Sequence, residues 1–245
     1  MAREAQRQPF LNGLNSAQRE AVTCPSDVLQ ILAPPGSGKT TTLTSRVAYL
    51  LIHNDYEPRN VIVATFTVKA AREMKARLGD LIGQDREAKL VLGTFHSIAR
   101  RFLVRHGHLI GIHKSFGIAD TSDSLAIIKR INKRRKLNID PGRARSRISS
   151  NKSRGISLEK FQSSGKKTLE AQEILTAYEE YEMTLRRSNL LDYDDLLLRC
   201  TDLLRQHPSC VSTIEAVLVD EFQDTNLVQF ELTTLLAAHK RRVTW

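Results

Sequence analysis

The sequence is poor in cysteine and has no long hydrophobic run. Three cysteines, Cys24, Cys200 and Cys210, are too few and too scattered for a disulfide framework or a cysteine-rich zinc site, and they are typical of a reducing compartment. No stretch of about 18 apolar residues occurs, so we expect no membrane-spanning segment, and residues 1–8 lack the apolar core of a secretory signal. The composition, 41% hydrophobic and 26% charged, is that of a globular protein of one or two domains.

Acidic residues are nearly missing from one segment, residues 129–154. Eleven basic residues and a single acid, Asp140, give this segment a charge of +10, which equals the formal net charge of the whole chain. A solvated helix face and a contact with a polyanion both explain such a run, and a nuclear import signal is a third interpretation of residues 129–136. The basic residues are Lys129, Arg130, Lys133, Arg134, Arg135, Lys136, Arg143, Arg145, Arg147, Lys152 and Arg154.

Short apolar runs alternate with helical patterns along much of the chain. The runs at 28–32, 61–65, 90–92 and 216–219 lack strict alternation, which is typical of parallel strands covered on both faces. Between them, apolar residues recur at four-residue spacing from Ala70 to Ile82, which indicates an amphipathic helix. The pattern predicts an α/β fold with a doubly wound parallel sheet.

Residues 109–188 break this rhythm. Leu125, Ile128 and Ile131 indicate one helix, and residues 169–185 indicate another. From Pro141 to about residue 165, the serine-rich and basic sequence favours a loop or irregular helices. We therefore expect a helical insertion within the α/β domain.

The segment at residues 33–40 follows a predicted strand and precedes a predicted helix, the context that a phosphate-binding loop requires. Glycines there allow backbone N–H groups to surround phosphate oxygens, and the helix N-terminus adds its positive dipole end. The lysine is expected to reach the β- and γ-phosphates, and the threonine that follows it is expected to ligate Mg²⁺. The loop residues are Ala33, Pro34, Pro35, Gly36, Ser37, Gly38, Lys39 and Thr40.

Two adjacent acids, Asp220 and Glu221, end the apolar run at 216–219. In nucleoside triphosphatases the first acid of such a pair holds Mg²⁺, and the second orients and deprotonates the attacking water. Exposed acids at a strand end are the alternative. Because strand ends of a parallel sheet meet at one edge, the phosphate loop nearby favours the catalytic interpretation.

Further strings occur in a fixed order around these two motifs. Residues 14–18 read LNSAQ, 64–74 read ATFTVKAAREM, 93–97 read GTFHS, 191–197 read LDYDDLL and 220–226 read DEFQDTN. With the phosphate loop, this set resembles the N-terminal part of superfamily 1 DNA helicases of the UvrD/PcrA/Rep type. Three positions depart from the family pattern, namely Ala33 in place of glycine, Val68 in place of asparagine and Phe222 in place of the frequent tyrosine. Residues 101–109 and the basic insertion are more similar to the fungal anti-recombinase branch than to the bacterial proteins.

The resemblance implies a RecA-like motor domain at residues 1–108 and 189–245, interrupted by a helical, basic subdomain at 109–188. It implies ATP and Mg²⁺ as ligands, and movement from 3′ to 5′ on single-stranded DNA. For the nucleotide it adds an adenine contact at Gln18, further contacts at Thr41 and Arg46, and a catalytic role for Gln223. A capped helix at Gln18 and a surface arginine at Arg46 are the structural alternatives.

The resemblance also implies DNA contacts in two strings. Thr65 and Thr67 would donate to phosphate, Phe66 would stack on a base, and Thr94 and His96 would contact the backbone. A core phenylalanine and a structural histidine are the alternatives. The charge count adds Lys133, Arg134 and Arg135 of the insertion as contacts to the duplex ahead of the motor.

The string at 191–197 is interpreted mainly as structural, because acids in the first turn of a helix suit its dipole. Single-stranded DNA and junctions between single- and double-stranded DNA are the expected partners, together with recombination or repair proteins that bind elsewhere. No membrane contact is expected, and the compartment would be the nucleus in a eukaryote or the cytoplasm and nucleoid in a bacterium.

The family continues beyond the point that corresponds to Trp245, into motifs III to VI and a second motor domain. We therefore expect the 245 residues alone to bind ligands without unwinding DNA. A small-molecule kinase would share Lys39, Thr40 and Asp220, but it would not explain the strings at 64–74 and 93–97. A non-enzymatic DNA-binding module with a residual nucleotide site is the other alternative.

Overall fold

A computed structural model of the chain describes residues 9–34, 36–156, 158–163 and 168–245. The described residues fall into two compact units. The first contains the segments up to Ile98, Pro208–Thr225 and Thr233–Trp245, and the second contains Ala99–His207 and Asn226–Leu232. The subdomain boundaries expected from the family, at 108/109 and 188/189, stay a prediction. None of the described helices combines the length and apolarity that a bilayer crossing requires.

Helices and strands alternate along the chain. The helices are α1 (Ser16–Thr23), α2 (Lys39–Ile52), α3 (Val68–Ile82), α4 (Gln84–Glu87), α5 (Phe95–His106), α6 (Thr121–Arg135), α7 (Pro141–Lys152), α8 (Leu158–Ser163), α9 (Leu169–Arg187), α10 (Tyr193–Gln206) and α11 (Leu227–Leu236). The strands are β1 (Val28–Leu29), β2 (Val61–Thr65), β3 (Val91–Thr94), β4 (Gly117–Ala119), β5 (Leu190–Asp192), β6 (Ala216–Val219) and β7 (Val243–Thr244).

The first unit contains a five-stranded parallel sheet in the order β1-β7-β6-β2-β3. Every residue of β2 and β6 is buried, as their unbroken apolar runs predicted. The predicted α/β fold with a parallel sheet is thus confirmed. The first strand is shorter than predicted. β1 ends at Leu29 at the edge of the sheet, where it pairs with β7, and Leu32 is 83% exposed.

Amphipathic helices cover the sheet. Met74, Leu78 and Ile82 of α3 lie with Val47 and Leu51 of α2 in one hydrophobic core. Thr67 caps α3 by accepting a hydrogen bond from the backbone N–H of Ala70. The helix predicted from the four-residue spacing is therefore present, with its buried face in the core of the first unit.

The second unit is mainly helical, with a core formed by α6, α7 and α9. Residues 141–152 form the regular helix α7, where the sequence favoured a loop or irregular helices. Asp140 accepts a hydrogen bond from the backbone of Arg143, Pro141 occupies the first turn, and Ile148 is buried. The strands β4 and β5 pair in parallel, and neither was predicted.

Candidate nucleotide and nucleic-acid sites

The phosphate loop lies between β1 and α2 in the first unit. Gly36 and Gly38 both have left-handed backbones, with φ of 77° and 85°. The left-handed backbone at Gly38 favours glycine, and a Cβ atom there would also lie 2.8 Å from the side-chain nitrogen of Gln18. Lys39 follows as the first residue of α2. Ala33, Pro34, Ser37 and Thr40 are among the described residues, whereas Pro35 lies outside them.

Gln18 connects α1 with this loop. Asn15 and Gln18 cap α1 reciprocally, so the helix cap expected at this position is present. The Gln18 side chain also donates to the carbonyl of Ser37 at 2.9 Å, and the Ser37 hydroxyl donates to the carbonyl of Pro34 at 2.7 Å. These bonds fix the loop from one side. Recognition of adenine by Gln18 stays a prediction.

Lys39 and Glu221 form an ion pair across the site, with 2.9 Å between Nζ and Oε2. Their side chains are 29% and 41% exposed, so solvent and ligands reach the pair. Glu221 follows β6 with φ of 51°, an unfavourable backbone for glutamate that is typical of functional sites. Gln223 donates to the same carboxylate oxygen. This hydrogen bond and the Lys39 ammonium lower the pKa of Glu221, so it is ionised at neutral pH.

Asp220 is more enclosed than its neighbour. It is buried at the carboxyl end of β6, and burial, followed by the charge of Glu221, raises its pKa. Asp220 lines the same cavity as Lys39, which precedes Thr40 in the first turn of α2. A carboxylate and a hydroxyl offer the oxygen ligands that Mg²⁺ prefers. A bound divalent cation would favour the ionised carboxylate and reverse the effect of burial. The donor set of Asp220 and Thr40 therefore fits Mg²⁺.

A cavity of about 130 Å³ opens beside these groups. Trp245 and Phe222 stack in its wall with ring centroids 4.8 Å apart. The backbone of Trp245 pairs with Leu29 and Ile31, at 3.0 and 2.6 Å. Sequence reasoning missed this stack because it depends on the pairing of β6 with β7, the two strands after which Phe222 and Trp245 lie. The other lining residues are Gln30, Ile31, Leu32, Lys39, Leu43, Val219, Asp220, Glu221 and Gln223.

Arg46 is fully buried in α2. It donates to the carbonyl oxygens of Val22 and Cys24, at 2.8 and 2.6 Å, and so anchors the chain after α1. Burial lowers the pKa of its guanidinium. The surface arginine considered as an alternative is therefore wrong. The nucleotide contact stays a prediction, and so does that of Thr41, whose hydroxyl accepts from Arg77 at 3.4 Å.

The predicted DNA strings end β2 and β3. The Thr65 hydroxyl donates to the carbonyl of Thr67, and the Thr67 hydroxyl caps α3, so both are engaged locally. Phe66 is half-buried and packs edge to face on Phe95, at 5.4 Å between centroids. The structure thus places Phe66 at the end of a central strand. Its DNA contact stays a prediction.

The other predicted DNA string begins α5. The Thr94 hydroxyl accepts from the backbone N–H of Ser97 at 3.3 Å, and the Ser97 hydroxyl donates back to the Thr94 carbonyl at 2.8 Å. His96, in the first turn of α5, is half-buried. The DNA contacts of Thr94 and His96 also stay predictions.

The basic residues at 129–154 belong to the second unit, and they differ in exposure and in their ion-pair partners. Arg134 and Arg135 form ion pairs with Glu180 of α9, and Arg143 pairs with Glu170 at 3.0 Å. Lys133 is exposed on α6. The +10 of the segment therefore overstates the charge available to a partner.

Lys152 is the exception in the segment, because its side chain is 1% exposed. Its ammonium lies 2.6 Å from Glu182, 2.8 Å from Asp192 and 2.8 Å from Asp195. Burial alone would lower its pKa, but the carboxylates, Asp195 first, raise it well above 10.5. The three carboxylates connect α7 with α9, β5 and α10. Sequence reasoning counted Lys152 as one more charge of a basic run.

Two acids of the string at 191–197, Asp192 and Asp195, have structural roles. Asp192 caps α10 in a reciprocal capping box with Asp195, as acids in a first turn suggested. Asp192 also accepts from Tyr181 at 3.0 Å, and Tyr181 contacts Ser124 at 2.8 Å. Burial, with the nearby charges of Asp192 and Glu182, raises the pKa of Asp195 to about 7 against the opposing effect of Lys152.

Comparisons with known proteins agree with this arrangement. The family model of the UvrD/REP helicase N-terminal domain matches residues 14–245. The chain is 40% identical to the ATP-dependent DNA helicase srs2 of Schizosaccharomyces pombe, over 96% of this chain and 29% of the relative. It is 37% identical to the ATP-dependent DNA helicase PcrA of Staphylococcus epidermidis, over 93% of this chain and 32% of the relative. The corresponding figures for PcrA of Staphylococcus aureus are 37%, 94% and 32%. The chain thus spans about a third or less of these relatives.

Proposed function

Because the chain belongs to the UvrD/REP helicase N-terminal domain family, we propose that it forms the ATP-binding part of the first motor domain of an ATP-dependent DNA helicase. The resemblance inferred from the motifs is confirmed at the level of the family. The proposal extends to ATP hydrolysis, to Mg²⁺ and to binding of single-stranded DNA with 3′ to 5′ movement. The arrangement of Lys39, Glu221 and Asp220 at the carboxyl end of the sheet is the observation that carries it.

The geometry supports an exchange of partners at Lys39. Without nucleotide its ammonium pairs with Glu221. The β- and γ-phosphates of ATP offer a stronger, multiply charged partner, so we propose that Lys39 moves to phosphate and frees the Glu221 carboxylate. The ionised carboxylate then accepts a proton from the water that attacks the γ-phosphorus, and ADP and phosphate leave.

The loop and the acids have the remaining proposed roles, which are to bind the phosphates and Mg²⁺ and to orient the base. Backbone N–H groups of the loop, with the N-terminus of α2, would hold the phosphates, and Gln18 would keep the loop in place through Ser37. Thr40 and Asp220 would hold Mg²⁺, which supplies charge neutralisation at the phosphates. Gln223 donates to Glu221 and so orients the proposed base. Arg46 and Thr41 remain proposed nucleotide contacts.

DNA is the proposed substrate, with two surfaces. Phe66, Thr65, Thr67, Thr94 and His96 are the proposed contacts to a single strand, although several of their hydroxyls have local partners. In the second unit, exposed basic residues of α6, Lys133 among them, are the proposed contacts to phosphates of a duplex at a junction. A nuclear location, recombination or repair partners and kinship with the fungal branch are further proposals.

Stimulation of ATP hydrolysis by DNA tests the proposal most broadly. The measurement needs the complete motor, because the chain covers 29–32% of the relatives' lengths. We expect single-stranded DNA to stimulate turnover, whereas a small-molecule kinase would be indifferent to DNA. The 245 residues alone are expected to bind Mg·ATP without unwinding DNA. Robust unwinding by these residues alone would contradict the proposed division of the motor.

A further inference from the structure

One buried carboxylate holds two of the basic residues that the sequence assigned to DNA. Glu180 lies in the middle of α9, and its side chain is 10% exposed. One carboxylate oxygen accepts from Arg134 and the other from Arg135, and both arginines belong to the last turn of α6. The arginine side chains are 60% and 53% exposed. Each arginine is therefore accessible to solvent, but it is already paired with a carboxylate that is nearly buried.

The other basic residues of α6 differ. Lys129, Arg130 and Lys133 of α6 are exposed, as is Lys136, which follows its last residue, and none of the four forms an ion pair with another described residue. At about 100° per residue, Lys129 and Lys133 lie on one face of the helix, whereas Arg130 lies one turn before Arg134 on the adjacent face. Arg134 and Arg135 point away from that face. Charges on α6 are thus divided into a free group and a neutralised group.

We propose that Glu180 is an internal counter-ion that limits how strongly the basic surface of α6 binds nucleic-acid phosphates. The inference rests on the proposed function, since it concerns the duplex contact of that surface. A phosphate approaching Arg134 or Arg135 must compete with charge-assisted hydrogen bonds to a nearly buried carboxylate. The free group carries the contact, and the two arginines add little while Glu180 is ionised.

The number of phosphates neutralised can be measured as the slope of log affinity against log salt, about −0.9 for each contact on duplex DNA. The experiment measures binding of the 245-residue chain to a short blunt DNA duplex. Fluorescence anisotropy gives the affinity at salt concentrations between about 50 and 200 mM. For Glu180→Gln we expect a slope steeper by about one to two and affinity several-fold tighter at the lowest salt.

Glu179→Gln is the matched control. It removes the same charge from the neighbouring position of α9, where the carboxylate accepts from Gln162 at 2.6 Å. An unchanged slope for Glu180→Gln, or a change equal to that of Glu179→Gln, would overturn the inference. Circular dichroism of each variant shows whether α9 and α6 remain folded.

A second variant decides the matter if Glu180→Gln fails to fold. Arg134→Ala with Arg135→Ala should alter the salt slope less than Lys129→Ala with Lys133→Ala does. The reverse order would show that the two arginines contact phosphate in the wild type, and would overturn the counter-ion role.

Failure of the proposed function has a different signature. If the wild-type chain shows no salt-dependent binding to the duplex, the proposed contact of the α6 surface with a duplex fails. The counter-ion role then survives only if Glu180→Gln creates such binding, and it fails if that variant also binds nothing.

Discussion

Lys39 and Lys152 both face acidic side chains, and the difference between their surroundings separates a functional ion pair from a structural one. Lys39 opens α2, is 29% exposed and pairs with one carboxylate, Glu221. Lys152 closes α7, is 1% exposed and is surrounded by three carboxylates. The first pair is accessible to a ligand, whereas the second has no route to exchange its partners.

The comparison shows how burial decides what an ion pair does. A partly exposed pair contributes little to stability, about 0–1 kcal/mol, so its partners can change at small cost. Removing a buried ammonium while its carboxylates remain leaves those carboxylates without a counter-charge. This destabilises the folded state far more than the loss of an exposed pair does. Lys39 is thus suited to bind phosphate, and Lys152 to hold helices together.

Replacing Lys152 gives the largest effect on stability. Lys152→Ala leaves three largely buried carboxylates, 6–16% exposed, without their cation. We expect a loss of about 3–5 kcal/mol in the free energy of unfolding. For a chain of this size that corresponds to roughly 10 °C in melting temperature. Chemical denaturation and calorimetry measure both. Lys129→Ala, an exposed lysine without an ion pair among the described residues, is the control, and equal effects of the two substitutions would contradict the structural role.

The pH dependence of stability sharpens the same contrast. The pKa of Asp195 is about 7 in the folded chain and near 3.8 when unfolded, so the folded state binds more protons between these values. This group's contribution is full below about pH 4 and is lost as pH rises through 7. We expect the free energy of unfolding to fall by roughly 2–3 kcal/mol from pH 5 to pH 8, since each pH unit between the two pKa values is worth about 1.4 kcal/mol. Asp195→Asn, which cannot titrate, should flatten the profile; an unchanged profile would contradict the assignment.

A smaller effect is expected at the exchangeable pair. Glu221→Gln removes a negative charge from the site and frees Lys39, so Mg·ATP should bind several-fold more tightly, about 1 kcal/mol. Isothermal titration measures the affinity. Glu73→Gln, on the exposed face of α3, provides a matched loss of charge, and weaker binding by Glu221→Gln would argue against the exchange of partners.

Contiguous strings were the part that the sequence could predict. The structural context of the loop at 33–40 and of the acids after β6 can be recognised in the adjacent sequence, because a strand, a turn and a helix follow one another directly. The capping of α1 by Asn15 was equally local. The helix at Pro141 was missed although Asp140 and Pro141 form a readable start signal, since the basic composition favoured a loop.

Long-range contacts were beyond sequence reasoning. Lys152 and Asp192 are forty positions apart, and Phe222 meets Trp245 because β6 pairs with β7. The engagement of Arg134 and Arg135 by Glu180 likewise depends on the packing of α6 against α9. A count of charges therefore identified the basic segment, but it could not distinguish the exposed residues, the two arginines paired with Glu180 and the buried Lys152.

The most direct test is the affinity of the 245-residue chain for Mg·ATP with and without Lys39. Trp245 is the only tryptophan and lines the same cavity, so its fluorescence reports binding. We expect Lys39→Ala to weaken Mg·ATP binding about ten- to a hundredfold, the value of a hydrogen bond to a charged group, with little change in stability. Lys89→Ala, an exposed lysine of the same unit, should bind as the wild type does. Equal affinity of Lys39→Ala and wild type would contradict the nucleotide site and favour a residual, non-functional loop.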